Sequence, residues 1–284
     1  MTNISITNSK NNVGAYINDI NLKNLDQDKA EEIKKALNQF GVIFIKEQNL
    51  NPESYQNFAK SIGQPVVYPR LKGLDEKFPF INVIERKPDD KNLSFGSSWL
   101  HQDTSYLAND RPRYTMLMGI EIPEGQGNTI FSSGFNAYKK LPNEIKDKIK
   151  DKKAIHSSLG AEFFIKNYKK MEGNDKKNYD EYSNEHPIVR THPETGKKIL
   201  FVNWTYTKEI IGMDKDESDE ILKQIFDHQA RLDLTCRFVW TEDAVAIWDN
   251  RSVIHYAIAD FYPDKGLGYE RIMDRIAVEG DNPQ

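Results

Sequence analysis

Residues 244–257 read AVAIWDNRSVIHYA: an apolar run, a polar turn and a second apolar run. Short runs rich in β-branched and aromatic residues, bounded by turn formers, read as buried strands. The stretch therefore predicts strand, turn and strand over 244–248 and 253–257, with His255 carried on the second strand into the interior of a sheet. Working outward, further strand runs fall at 80–84, 114–120, 128–132, 199–202, 236–240 and 271–278. Helical spacing covers 26–40, a short strand follows at 42–45, and a second helix spans 52–62 with Asn51 as its cap. Residues 20–62 thus form a helix-strand-helix unit that packs on the strands. A helical stretch at 133–152 opens an insert of about 133–185, and 216–231 is an amphipathic helix with Ile221, Leu222, Ile225 and Phe226 on one face. Many short strands with few strand-helix alternations give a mostly β, α+β architecture, an antiparallel sandwich or barrel flanked by helices. Without a repeat or linker, residues 1–284 read as one domain.

Composition narrows the function. With 38% hydrophobic residues, 14 Phe, 13 Tyr and 4 Trp, the chain has core material and falls among globular rather than disordered proteins. The net charge of −4 is small, and basic residues are interleaved with acidic ones, which argues against a nucleic-acid partner. A polar start, MTNISITNSKNN, and the lack of any run of about 18 apolar residues argue against a membrane and lead to a cytoplasmic reading. Association of copies of the chain stays open. The single cysteine, Cys236, excludes an internal disulfide and a Cys-cluster zinc site. Set in the strand-like LTCRFVW, it reads as a buried structural thiol rather than a nucleophile.

The chemistry lies elsewhere. Residues 98–106 read SWLHQDTSY, and on an extended backbone His101 and Asp103, two apart, point to one side and can share a ligand. One imidazole and one carboxylate suit a borderline divalent metal, and a second imidazole completes a facial triad with three positions left open on iron(II). Six histidines are available, and His255 is the third ligand chosen. His228 on a charged helix, His186 and His192 in the loop-like HPIVRTHPETGKK, and His156 after a lysine-rich helix are explained by surface or structural roles. His-x-Asp alone is a short pattern, and a surface pair is its commoner explanation. The strand RIMDRIAV adds weight, because its two-residue period puts Arg271, Met273 and Arg275 on one face and Ile272, Asp274 and Ile276 on the other. Two arginines about 13 Å apart along a strand can hold two different anions on one cavity wall.

At this point the chain resembles the taurine dioxygenase and 2,4-dichlorophenoxyacetate dioxygenase family of iron(II)/2-oxoglutarate enzymes. The resemblance runs through FGVIF at 40–44, residues 99–106, IPEGQGNT at 122–129, HPETG at 192–196, residues 247–256 and RIMDR at 271–275. It implies a double-stranded β-helix, a jelly roll, with iron at one mouth, and O2 and 2-oxoglutarate as cosubstrates. By the same resemblance His101, Asp103 and His255 are the metal ligands. Arg271 and Thr129 hold the distal carboxylate of 2-oxoglutarate, and Arg275 reaches an anionic group of a small-molecule substrate. Related halogenases lack the carboxylate ligand, so Asp103 implies hydroxylation. Three departures bear on substrate: Arg70 in VYPR replaces a family histidine, Leu100 intervenes between Trp99 and His101, and PDKGLGY at 263–269 lengthens a loop. With Arg70 and Arg275 both in the cavity, charge favours a sulfonate, carboxylate or phosphonate. The competing readings are a zinc hydrolase, a non-catalytic 2-oxoglutarate-binding module and a jelly roll without a site.

Overall fold

The computed structural model describes residues 4–67, 72–90, 99–108, 111–158 and 182–280. Its strands are β1 (Ser5–Asn8), β2 (Ala15–Asn18), β3 (Val42–Ile45), β4 (Pro65–Val66), β5 (Asn82–Arg86), β6 (Pro112–Glu121), β7 (Thr129–Ser133), β8 (Lys153–Ser157), β9 (Ser183–Pro187), β10 (Val189–Thr191), β11 (Lys198–Leu200), β12 (Thr207–Ile210), β13 (Thr235–Phe238), β14 (Val245–Asp249), β15 (Val253–Ala257) and β16 (Arg271–Glu279). The helices are α1 (Gln27–Phe40), α2 (Pro52–Ile62), α3 (Gly134–Lys140), α4 (Asn143–Ile149) and α5 (Lys215–Gln229).

A large sheet runs in the order β1-β2-β3-β14-β6-β16-β4, with β5 also paired to β16, and a three-stranded sheet runs β13-β7-β15. Pairing is antiparallel throughout the large sheet except between β2 and β3. The opening stretch works as expected: 245–249 and 253–257 are strands, and the turn between them carries the chain from one sheet to the other. This is the jelly-roll core with flanking helices.

The large sheet is covered on both faces, which is why its central strands are apolar without alternation. On β3, Val42 and Phe44 face the small sheet, while Ile43 and Ile45 face α1 and α2. Trp248 and Ala246 of β14 likewise meet Phe131, Phe238 and Met273 between the sheets, whereas Val245 and Ile247 join Ile33, Leu37, Tyr55 and Phe58 on the helical side. Phe44 and Phe238 stack with ring centres 4.4 Å apart. Both helices start where the sequence signals: Asp26 accepts from the Lys29 N–H, and Asn51 and Ser54 cap each other reciprocally. A third cluster packs α3, α4 and α5 against Ala154, Leu200, Val202 and Ile210.

Several expectations are corrected. The helix expected over 133–152 is two short ones, because Pro142 has no N–H to give and holds Leu141 extended. Residues 153–157 are strand, and of the expected insert to 185, residues 159–181 lie outside the described residues. The loop-like HPIVRTHPETGKK contains the end of β9, β10 and the start of β11. Of the two roles left for His156, His186, His192 and His228, surface or structural, burial of all four rules out the surface one and agrees with the structural one. No helix among the described residues is long and apolar enough to cross a membrane.

Candidate active site

The cavity lies between the two sheets. Antiparallel backbone bonds join the His101 segment to β15: the His101 N–H donates to the His255 carbonyl at 3.0 Å, and the His255 N–H to that of His101 at 2.9 Å. Two imidazoles from distant parts of the chain are thereby set side by side, ring centres 4.5 Å apart. Asp103 starts a turn just beyond, and its Oδ1 lies 3.9 Å from His101 Nε2 and 4.0 Å from His255 Nε2. Ligand atoms of the three residues all fall within 4.8 Å of one another. The segment is tightly set, since Thr104, a β-branched residue, holds a left-handed φ of 48°.

The electrostatics favour a metal-ready state. Burial lowers the pKa of both histidines, that of His255 to about 3, so each ring is neutral. His101 Nδ1 is 2.8 Å from the Trp99 carbonyl, which makes Nδ1 the protonated nitrogen and leaves the Nε2 lone pair facing Asp103. Burial pushes the Asp103 carboxyl up, but the Arg275 guanidinium beside it and the Thr115 hydroxyl hold it below the usual carboxylate range. Its Oδ2 accepts from the Thr115 hydroxyl at 2.6 Å and from Arg275 Nη2 at 3.0 Å. Arg275 was expected to face a substrate anion; it lines the cavity, but one of its nitrogens is bonded to Asp103.

Arg271, Thr129, Ile84, Leu117, Trp248 and Ala257 complete the lining. Arg271 is 7% exposed, its Nε is without a hydrogen-bond partner, and burial lowers its pKa to about 10. No carboxylate is salt-bridged to it among the described residues. A buried guanidinium in this state is a seat for an incoming carboxylate. Gly127 makes the room: at φ +63°, a Cβ there would stand 2.7 Å from Arg271 Cδ. Thr129 Oγ1 accepts from the Trp240 indole N–H at 2.9 Å, so its own hydrogen is free to point elsewhere. Arg70 lies outside the described residues. Cys236 is buried in β13, as expected, and burial pushes its thiol up to about 12.

Two neutral imidazoles and one ionised carboxylate are a donor set that fits a borderline divalent ion, and the free guanidinium and hydroxyl beside it fit a dicarboxylate. Sequence reading missed Thr115, Asn250, Gly127 and Trp240. Thr115 carried a signal, as the polar residue within the apolar run of β6.

Comparison with known proteins agrees. Residues 5–276 match the family described as taurine catabolism dioxygenase TauD, TfdA family. An alkylsulfatase of Acinetobacter baylyi is 31% identical over 95% of this chain and 83% of its own length. An alpha-ketoglutarate-dependent sulfate ester dioxygenase of Pseudomonas putida is 29% identical over 95% of this chain and 88% of its own. Among solved structures, a taurine dioxygenase from Burkholderia xenovorans superposes with a TM-score of 0.81 at 27% identity, covering 99% of this chain and 92% of that one.

Proposed function

The chain belongs to the taurine catabolism dioxygenase TauD, TfdA family, and from that premise we propose that its cavity oxidises a small organic sulfonate or sulfate ester at the carbon bearing the sulfur group. It is an iron(II)- and 2-oxoglutarate-dependent dioxygenase acting with O2 on an anionic small molecule. The observation that carries the reading is the convergence of the His101, Asp103 and His255 donor atoms beside an Arg271 guanidinium with no carboxylate salt-bridged to it among the described residues.

We assign the metal to His101 Nε2, His255 Nε2 and Asp103 Oδ1. When bound, metal and 2-oxoglutarate supply the oxidising chemistry: one oxygen of O2 ends in succinate, released with CO2, and the other in the substrate. The chain's part is position and charge. The Arg271 fork and the Thr129 hydroxyl grip the far carboxylate of 2-oxoglutarate, Thr129 having its hydrogen turned outward by Trp240. The Trp99 carbonyl keeps His101 in the tautomer that offers Nε2. Ile84, Leu117, Trp248 and Ala257 exclude water around the reacting carbon, and Arg275 adds the positive charge that draws in a sulfonate or sulfate. Oxygen insertion at that carbon gives an α-hydroxy sulfonate, whose C–S bond then breaks: R–CH2–SO3⁻ + O2 + 2-oxoglutarate → R–CHO + HSO3⁻ + succinate + CO2. A sulfate ester gives hydrogen sulfate by C–O cleavage in the same way.

The test is a screen of alkane and aryl sulfonates, alkyl sulfates, phosphonates and aryloxyacetates for substrate-triggered succinate release, with Fe(II) or Zn(II). Release with sulfonates or sulfate esters and Fe(II) alone is expected. Response only to phosphonates or aryloxyacetates contradicts the substrate class, and hydrolysis with Zn(II) contradicts the reaction.

A further inference from the structure

We propose that Thr115 and Asn250 are positioning residues that hold Asp103 to one-oxygen binding of the metal and so keep open a coordination position needed by 2-oxoglutarate. The inference rests on the assignment of His101, Asp103 and His255 as metal ligands. A carboxylate binds a metal through one oxygen or two. A facial triad leaves three positions open only when its carboxylate uses one.

In this protein the two oxygens of Asp103 have different surroundings. Oδ1 faces the two imidazoles, whereas Oδ2 is taken by Thr115 and Arg275. The hydrogen-bond chain behind Oδ2 has a single direction. The indole of Trp248 only donates, and it donates to Asn250 Oδ1 at 3.0 Å, as does the Asp103 backbone N–H at 3.3 Å. The amide of Asn250 is therefore turned with Nδ2 toward Thr115, to whose Oγ1 it donates at 2.8 Å. With its oxygen so engaged, Thr115 gives its one hydrogen to Asp103.

Trp248, Asn250, Thr115 and Asp103 are all buried. Thr115 also sits mid-sheet, paired with Trp248 of β14 on one side and Ala277 of β16 on the other, so its hydroxyl has little freedom to follow a moving carboxylate. Swinging Oδ2 to the metal would leave the Thr115 hydrogen without an acceptor where water does not reach, a penalised state.

The experiment is calorimetric titration of the full chain with Mn(II), which does not turn over, and then of the Mn(II) protein with 2-oxoglutarate. Thr115→Val keeps the shape and removes the hydrogen, and Thr115→Ser restores it. The expected result for Thr115→Val is nearly unchanged Mn(II) affinity with 2-oxoglutarate affinity reduced about tenfold or more. Thr115→Ser should match the wild type on both. Melting of the metal-free variants reports folding, and Thr115→Ala replaces Thr115→Val should the latter not fold. Parallel loss of Mn(II) and 2-oxoglutarate, equal behaviour of the Val and Ser variants, or no change in Thr115→Val overturns the proposal. Failure of the wild type to bind Mn(II) overturns the ligand assignment itself and is distinguished by that first titration.

Discussion

Two buried clusters in this protein are built from the same residue types and end in opposite states. In one, Asp103 stands with Arg275, His101 and His255; in the other, Asp249 stands with Arg251 and His192. Both aspartates are nearly inaccessible and, although burial pushes each carboxyl up, neighbouring cations hold both below the usual range. Both oxygens of Asp249 are taken. Arg251 Nε donates to Oδ1 at 2.8 Å and Nη2 to Oδ2 at 2.6 Å, His192 Nε2 lies 3.1 Å from Oδ2, and Arg251 Nη1 reaches Glu194 at 2.9 Å. Glu194 is bonded in turn to Arg113. The Asp103 cluster is closed on one side only: Oδ2 is saturated, while Oδ1 and the two imidazole nitrogens face one another across ligand-sized gaps. Charge and burial do not separate the two clusters; the unused carboxylate oxygen does, since both oxygens of Asp249 are bonded and Oδ1 of Asp103 is not.

The contrast is broken most forcefully by removing a donor from the open cluster. His255→Ala should abolish metal-dependent succinate release while leaving the fold intact, because His255 Nε2 makes no side-chain hydrogen bond among the described residues; full activity in the variant would remove it from the site. Removing the charge from the Asp249 cluster should do the reverse. Asp249→Asn leaves Arg251 buried against a neutral partner and should cost about 3–5 kcal/mol in denaturant unfolding, with metal binding retained by the folded fraction.

A smaller effect of opposite sign is expected at Asp274, on the helical side of β16, where burial alone raises the carboxyl to about 6. Its unfolded value is about 3.9, so between roughly pH 4 and pH 6 the folded state binds more protons and stability falls as pH rises through that window. Asp274→Asn should stabilise the protein at neutral pH by on the order of 2 kcal/mol and flatten that step. An unchanged pH profile in thermal melts would show that Asp274 is not buried as an acid.

Much of this was legible from residues alone. Strand-turn-strand over 244–257 and the capped helices at 26–40 and 52–62 are written locally, in period and caps, and appear with small end shifts. His101, Asp103, His255 and Arg271 were named from spacing and strand period, Thr129 and the role of Arg271 only through the family resemblance, and all five line one cavity. What escaped depends on pairing between distant strands. The bond from Arg275 to Asp103 follows from β16 lying beside β6, which brings Ala277 level with Thr115, and no spacing within RIMDR reports it. His156 and His192, with charged and Pro-rich flanks, left surface and structural roles equally open, and partners far along the chain, Ser105 and Asp249, hold them in the interior.

Under the proposed function a metal sits in the open cluster and not beside Asp249. Calorimetric titration with Mn(II) of the wild type, Asp249→Asn and His255→Ala decides it. The wild type and Asp249→Asn should each bind a single ion per folded chain, and His255→Ala none. Retained binding in His255→Ala, or its loss in folded Asp249→Asn, would contradict that placement of the metal.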